Sequence, residues 1–167
     1  MMKTIVEYFH SMEDDRREAL LEFHLEFEPL MRIAKGSSHN HQAWEGGYIS
    51  HITELFHIAE VSYAALGSLH PMPFPLDQAL IVLYMHDIEK IWQYSTGETI
   101  DKDDWYNEIL PKRGITLTDS EMNALEHIHG EQNHVKTERR MNELGAFCHS
   151  CDCLSARLFW DYGRDFI

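Results

Sequence analysis

The sequence lacks a long apolar run. No stretch of apolar side chains approaches the roughly 20 residues that a bilayer-spanning helix needs. The first residues also lack the apolar segment of a secretory signal peptide, and the chain turns acidic at Glu13. These absences disfavour a membrane protein and predict a cytoplasmic one.

Basic residues are also scarce. The 167 residues include 14 Lys and Arg against 28 Asp and Glu, a formal net charge of −14. An acidic protein repels a polyphosphate backbone, so long DNA or RNA is a disfavoured partner. A small anionic substrate stays compatible with this charge if local cations or a bound metal reverse the field.

Cysteine is limited to Cys148, Cys151 and Cys153. An odd number of neighbouring cysteines is a poor disulfide framework. A zinc knuckle is one interpretation of this segment, but the chain has no second cysteine group to complete a four-cysteine site. We expect small thiols buried on a helix instead.

Strand-like alternation is absent too, and the fold class predicted is all-α, as one domain over residues 1–167. Residues 1–35 are expected to pack as a helical segment on a core of about 39–160. A capping box at Thr118 and Glu121 predicts one helix start. Apolar periodicity and stop signals predict helices over 13–34, 48–66, 76–94 (one helix, or two broken near His86), 103–110, 118–127 and 146–162, with a turn over 138–143.

Histidine, in contrast, is plentiful, with 12 residues. His86 and Asp87 directly follow the apolar run 79–85. Burying such groups unpaired costs several kcal/mol, and a divalent metal would satisfy both. Taken alone, the pair is equally compatible with an exposed helix end.

Metal-type side chains occur at three further places. His51 lies early in the helix predicted over 48–66, residues 127–131 read HIHGE, and His149 and Asp152 share a helix face by their spacing. Helices that each present such residues inward can build a metal site. Singly, His51 would be a core histidine and Asp152 a solvated or capping residue.

At this point the chain resembles the HD-domain metal-dependent phosphohydrolases, whose ligands follow the order H…HD…D. The match covers about residues 39–160. It consists of HQAWEGGYISH at 41–51 for H-x-A-x-x-G-G-x-x-x-H, HDIEK at 86–90 for H-D-I-G-K, and CDCLSA at 151–156 for A-D-x-L-S-A. The first segment is most similar to the branch that includes bacterial 3′–5′ exoribonucleases. Glu89 departs from the glycine of the second segment.

The resemblance implies a compact helical bundle with a central metal. The implied ligands are His51, His86, Asp87 and Asp152. A mixed His/Asp set suits Mn²⁺, Fe²⁺, Co²⁺, Ni²⁺ or Zn²⁺. His129 and His149 are the candidate ligands of a second metal, which Ile128 puts in doubt by replacing a histidine of the family. His127 is expected to face solvent.

The remaining site residues follow from position. Asp87 is predicted to orient the attacking water as well as to bind metal. Lys90, one helical turn on, is assigned to phosphate, although an isolated lysine would usually be a surface residue. Glu131 is a candidate general acid or base. The substrate-binding candidates besides Lys90 are His41, Arg157 and Trp44. Trp44, like Tyr48, is equally compatible with an aromatic residue of the core.

The function favoured by the sequence is metal-dependent hydrolysis of phosphate ester or anhydride bonds in a small nucleotide, by either a phosphohydrolase of deoxynucleoside or nucleoside triphosphates or a nucleoside monophosphate phosphatase. One alternative is a phosphodiesterase, namely a 3′–5′ exonuclease or a cyclic-nucleotide hydrolase, because a fold-level resemblance does not determine a substrate. The other is a metal-binding HD module with a regulatory rather than catalytic role. The sequence leaves a homo-oligomer open.

Overall fold

A computed structural model describes residues 3–131 and 140–159, and this part of the chain contains helices and no strand. The predicted all-α fold class is therefore confirmed. The helices are α1 (Ile5–Ser11), α2 (Arg17–Met31), α3 (Gly47–Gly67), α4 (Leu76–Met85), α5 (Lys90–Ser95), α6 (Lys102–Asp104), α7 (Leu110–Lys112), α8 (Asp119–His127) and α9 (Glu143–Cys153), with π-helical turns π1 (Trp105–Ile109) between α6 and α7 and π2 (Leu154–Leu158) after α9.

The N-terminal region differs from the prediction of one helix over 13–34. A separate helix, α1, precedes it and is started by a capping box between Thr4 and Glu7. The α2 helix begins only at Arg17, because Asp14 accepts the backbone N–H of Arg16 and holds the chain in a turn. Apolar periodicity alone does not register such a local hydrogen bond.

Helix α4 lies at the centre of the fold. Every residue from 79 to 85 is buried, and the two flanking helices in sequence, α3 and α5, contribute buried side chains to the same apolar cluster. The helix ends at Met85, and the next helix begins at Lys90. The predicted alternative of two helices broken near His86 is thus the observed one, and the break places His86 and Asp87 at the end of α4.

The second half of the chain follows the predicted pattern with shifted ends. The predicted helix 103–110 is a helical segment over 102–112 with a π-turn inside it. The capping box of Thr118 and Glu121 starts α8 as expected. The last helix begins at Glu143 rather than 146, because Asn142 caps it by accepting the N–H of Gly145. Residues 138 and 139 of the turn predicted over 138–143 and the predicted helix end at 160–162 lie outside the described residues.

None of the described helices combines the length and the apolarity needed to cross a membrane. This agrees with the absence of a long apolar run in the sequence.

Candidate metal centre

Four side chains from three helical regions converge at the end of α4. His51 comes from α3, His86 and Asp87 follow α4, and Asp152 comes from α9. We call these four residues the His/Asp cluster. The Nε2 atom of His86 lies 3.1 Å from Asp87 Oδ2 and 3.7 Å from Asp152 Oδ1. The Nε2 atom of His51 lies 3.3 Å from Asp152 Oδ1 and 4.0 Å from Asp87 Oδ2.

Helix packing explains why the cluster forms. Ile52, Leu55 and Phe56 of α3 are fully buried, which turns the face that carries His51 inward. The C-terminal end of α4 and the middle of α9 pack against the same core, so each element delivers its polar groups to one place. Consequently His51, His86 and Asp87 are buried with their ligand atoms within 4.8 Å of one another, a grouping able to hold a metal ion.

Both histidines are held with Nε2 aimed at the cluster. The ring N–H at Nδ1 of His86 donates to the carbonyl of Leu83 at 2.7 Å, and Nδ1 of His51 lies 2.9 Å from the hydroxyl of Ser155. With Nδ1 engaged as the donor, the neutral form of each ring carries its lone pair on Nε2. Within the described part of the chain, these two buried Nε2 atoms have no hydrogen-bond partner. Two unpartnered imidazole nitrogens facing two carboxylates fit a divalent transition metal.

Burial and neighbouring charges shift the pKa values of the residues in the His/Asp cluster. Burial alone would raise the pKa of Asp87, yet the neighbouring His86 and Lys90 hold it well below its ordinary value. Burial likewise opposes ionisation of Asp152, while the neighbouring imidazoles of His129 and His51 hold its pKa well below the ordinary range. Burial lowers the pKa of His51. Two ionised carboxylates are therefore present to balance a bound cation.

Two lysines lie beside the cluster. The ammonium of Lys90 donates to Asp87 and, at 2.9 Å, to the carbonyl of Gly36, so its charge lies beside the cluster, and its assignment to phosphate stays a prediction. Lys102 was not anticipated. Its ammonium donates to the carbonyl of His86 and pairs with Glu89, each at 2.9 Å. Glu89, the departure from the family motif, therefore has a structural partner that a glycine would lack.

The loop between α2 and α3 covers one side of the cluster. The ring of His41 lies 4.8 Å from that of His51, and its Nε2 is buried and unpartnered within the described residues. Burial, followed by His51 and Lys90, lowers the pKa of His41 to about 4. His41 is thus a neutral group beside the cluster near pH 7, and its assignment to substrate binding stays a prediction. Trp44 is half-buried in the same loop, whereas Tyr48 is fully buried in the core.

Of the two candidate ligands of a second metal, His129 lies next to the cluster, with its ring centroid 6.1 Å from that of His86. His129 has a half-exposed side chain and places Nδ1 3.5 Å from Asp152 Oδ2. His149 donates from Nδ1 to the carbonyl of Ile128 at 2.6 Å, and its Nε2 lies 3.7 Å from the sulfur of Cys153. The expectation that His127 faces solvent is wrong, because α8 packs its last turn inward and leaves that side chain only 11% exposed.

Glu131 and Arg157 lie toward the periphery. The Oε1 atom of Glu131 accepts the backbone N–H groups of Arg140 and Met141, at 2.9 and 2.7 Å, and so closes the loop between α8 and α9. Arg157 is exposed on π2. Their assigned roles in acid–base chemistry and substrate binding stay predictions.

The cysteines agree in part with the sequence prediction. Cys148 and Cys151 are free, buried thiols on α9, as expected for small apolar residues. Cys153 is exposed instead, because it follows Asp152 on the face that turns away from the core.

Sequence reasoning missed the residues that support His51. The hydroxyl of Ser155 donates to Glu54 at 2.6 Å, and the amide of Gln42 donates to the same carboxylate oxygen at 3.0 Å. Burial raises the pKa of Glu54 to about 7, against the lowering effect of the hydrogen bonds from Ser155 and Gln42. The spacing of Glu54, one turn after His51, was the signal available in the sequence.

The chain matches no known family model, and no curated protein or solved structure is significantly similar to it.

Proposed function

We propose that this protein is a metal-dependent phosphohydrolase of the HD type that acts on a small nucleotide. The observation that carries the proposal is the meeting of His51, His86, Asp87 and Asp152 with two Nε2 atoms directed at two carboxylates. These are the four residues that the motif resemblance assigns as ligands. The net charge of −14 further favours a small substrate over a nucleic acid polymer.

A metal held by these four residues would supply Lewis acidity toward a phosphoryl oxygen and lower the pKa of a bound water. The chain contributes the remaining steps. Asp87 presents its carboxylate at the edge of the cluster, where it orients the attacking water. Lys90 places a positive charge beside the same edge, where it binds the phosphoryl group and offsets the charge that develops during attack. Neutral His41 contributes a hydrogen-bonding group to the substrate.

Metal content and substrate turnover test the proposal together. The purified protein is expected to bind Mn²⁺ or Co²⁺ and, so loaded, to release phosphate, pyrophosphate or triphosphate from a panel of nucleoside mono-, di- and triphosphates. His86→Ala and Asp152→Asn are each expected to lower metal affinity at least about 100-fold, since each removes a direct ligand. Isothermal titration calorimetry and phosphate release measure the two effects.

His70→Ala, which replaces an exposed histidine after α3, is the matched control and is expected to keep both properties. Hydrolysis of single-stranded RNA, DNA or cyclic nucleotides without turnover of mononucleotides would replace the proposal by the phosphodiesterase alternative. That alternative draws on the segment 41–51, whose His41 packs beside His51. Metal binding without hydrolysis of any of these substrates would instead favour a regulatory module.

A further inference from the structure

A chain of hydrogen bonds runs away from the His/Asp cluster into the loop before α3. It begins at Nδ1 of His51, passes through the hydroxyl of Ser155 at 2.9 Å, and continues from that hydroxyl to Glu54 at 2.6 Å. The amide of Gln42 closes it with a bond of 3.0 Å to the same oxygen of Glu54. Ser155 and Gln42 are both completely buried. The four groups come from α3, π2 and the loop. Because Ser155 is far from the other three in the sequence, the sequence alone does not indicate that they meet.

Above the Glu54 pKa of about 7, where its carboxyl group is ionised, the direction of the bonds follows from the chemistry of each group. The amide nitrogen of Gln42 donates, so the oxygen of Glu54 accepts. Ser155 has one proton and donates it to Glu54, so its lone pairs remain for the ring N–H of His51. His51 is thereby fixed as the tautomer protonated at Nδ1, with its Nε2 lone pair in the cluster. A carboxylate that polarises a ligand histidine in this way raises the basicity of the coordinating nitrogen.

The backbone at Gln42 indicates that the chain keeps this arrangement at a cost. Gln42 adopts a φ of +44°. In the described part of the chain, every other residue with a positive φ is a glycine. Such a conformation is unfavourable for a residue with a side chain, and it persists where the surroundings enforce it. Here Gly36 donates its N–H to the Gln42 carbonyl at 2.9 Å, and a Cβ on Gly47 would lie 1.8 Å from that same oxygen.

We infer that Glu54 and Ser155, held by Gln42, are positioning residues that orient and polarise His51 and thereby set the metal affinity of the cluster. The inference rests on the proposed metal site and does not depend on the reaction that the site catalyses. It assigns a role to a half-buried carboxylate and a buried hydroxyl that the phosphohydrolase mechanism itself leaves unused.

The test combines a tautomer measurement on the metal-free protein with metal titrations. Two-bond ¹H–¹⁵N correlation spectra, with the His51 signals assigned through His51→Gln, are expected to show the Nδ1–H tautomer in the wild type. Ser155→Ala is expected to lose that tautomer preference and to bind Mn²⁺ and Co²⁺ about 10- to 100-fold more weakly. Ser155→Thr, which keeps the hydroxyl, is expected to restore both properties.

Glu54→Gln keeps an acceptor for Ser155 but removes its charge, so its metal affinity is expected to fall between those of the wild type and Ser155→Ala. It also carries the test if Ser155→Ala does not fold. Ser150→Ala and Glu22→Gln are the matched controls. The hydroxyl of Ser150 donates within α9, to the Ala146 carbonyl, and Glu22 is exposed on α2. Both are expected to bind metal like the wild type.

The inference would be overturned if Glu54→Gln and folded Ser155→Ala both bound metal as tightly as the wild type and kept the same His51 tautomer. Failure of the wild type to bind either metal would overturn the metal site and this inference with it. The expected order of affinities in a protein that hydrolyses no phosphate compound would support the inference and refute only the phosphohydrolase.

Discussion

At the residue scale, a substitution at Lys90 distinguishes the proposed metal binding from the proposed phosphate binding. Its ammonium lies on Asp87, where it neutralises a carboxylate but also repels a cation. Lys90→Met is therefore expected to bind Mn²⁺ at least as tightly as the wild type while kcat/KM for a nucleotide falls about 100-fold, the loss typical for one charge-stabilising donor. Calorimetry and steady-state kinetics measure the two quantities. Lys35→Met, at an exposed lysine near the same loop, is the control; an unchanged kcat/KM in Lys90→Met would contradict the phosphate assignment.

A second residue-scale prediction concerns His24, which is buried with Nδ1 3.1 Å from the Tyr84 hydroxyl. Burial lowers the pKa of His24 in the folded protein. Below the ordinary histidine pKa of about 6.5, the unfolded chain therefore binds a proton that the folded chain does not, and stability falls as the pH falls toward the lowered pKa. Between pH 7 and pH 5, the Tm of His24→Gln is expected to fall by less than the Tm of the wild type, as measured by circular dichroism. His10→Gln, at an exposed histidine, serves as control and should retain the wild-type pH dependence.

At the element scale, the junction between the α2–α3 loop and α3 is sterically constrained. A Cβ on Gly47 would meet the carbonyl oxygen of Gln42 at 1.8 Å and its carbon at 2.8 Å, both backbone atoms that cannot rotate away. Gly47→Ala is expected to destabilise the fold by about 3 kcal/mol or more, as overpacking against backbone does. Urea denaturation measures this value.

Gly67, at the other end of α3, provides the matched comparison. A Cβ there would lie 3.6 Å from the Met72 side chain, an ordinary contact. Gly67→Ala is expected to change stability by less than about 1 kcal/mol, because alanine also favours the helix. Equal stability of the two variants would show that the loop relaxes away from Gly47 and that its geometry is not enforced.

At the scale of the whole molecule, the net charge of −14 opposes the approach of an anionic substrate. Salt screens this repulsion over a Debye length of about 10 Å at 0.1 M. We therefore expect kcat/KM for a nucleoside triphosphate to rise several-fold between low and moderate ionic strength, with a smaller rise for a singly charged phosphodiester. Initial rates at low substrate concentration measure both. A fall with added salt would indicate that Lys90 and Lys102 dominate the local field.

The sequence by itself determined the helical class, the capping box of α8 and the ligand candidates, because apolar periodicity, capping and residue type are local properties. The sequence prediction missed α1, although Thr4 and Glu7 form a capping box like that of α8, and it missed the start of α2, where Asp14 accepts the backbone N–H of Arg16. Only the tertiary structure brought His51 and Asp152 to His86 and Asp87, and revealed Glu54, Ser155 and Lys102 around them. Residues far apart in the chain meet through packing of buried helix faces, and that packing is a property of the whole core rather than of any one segment.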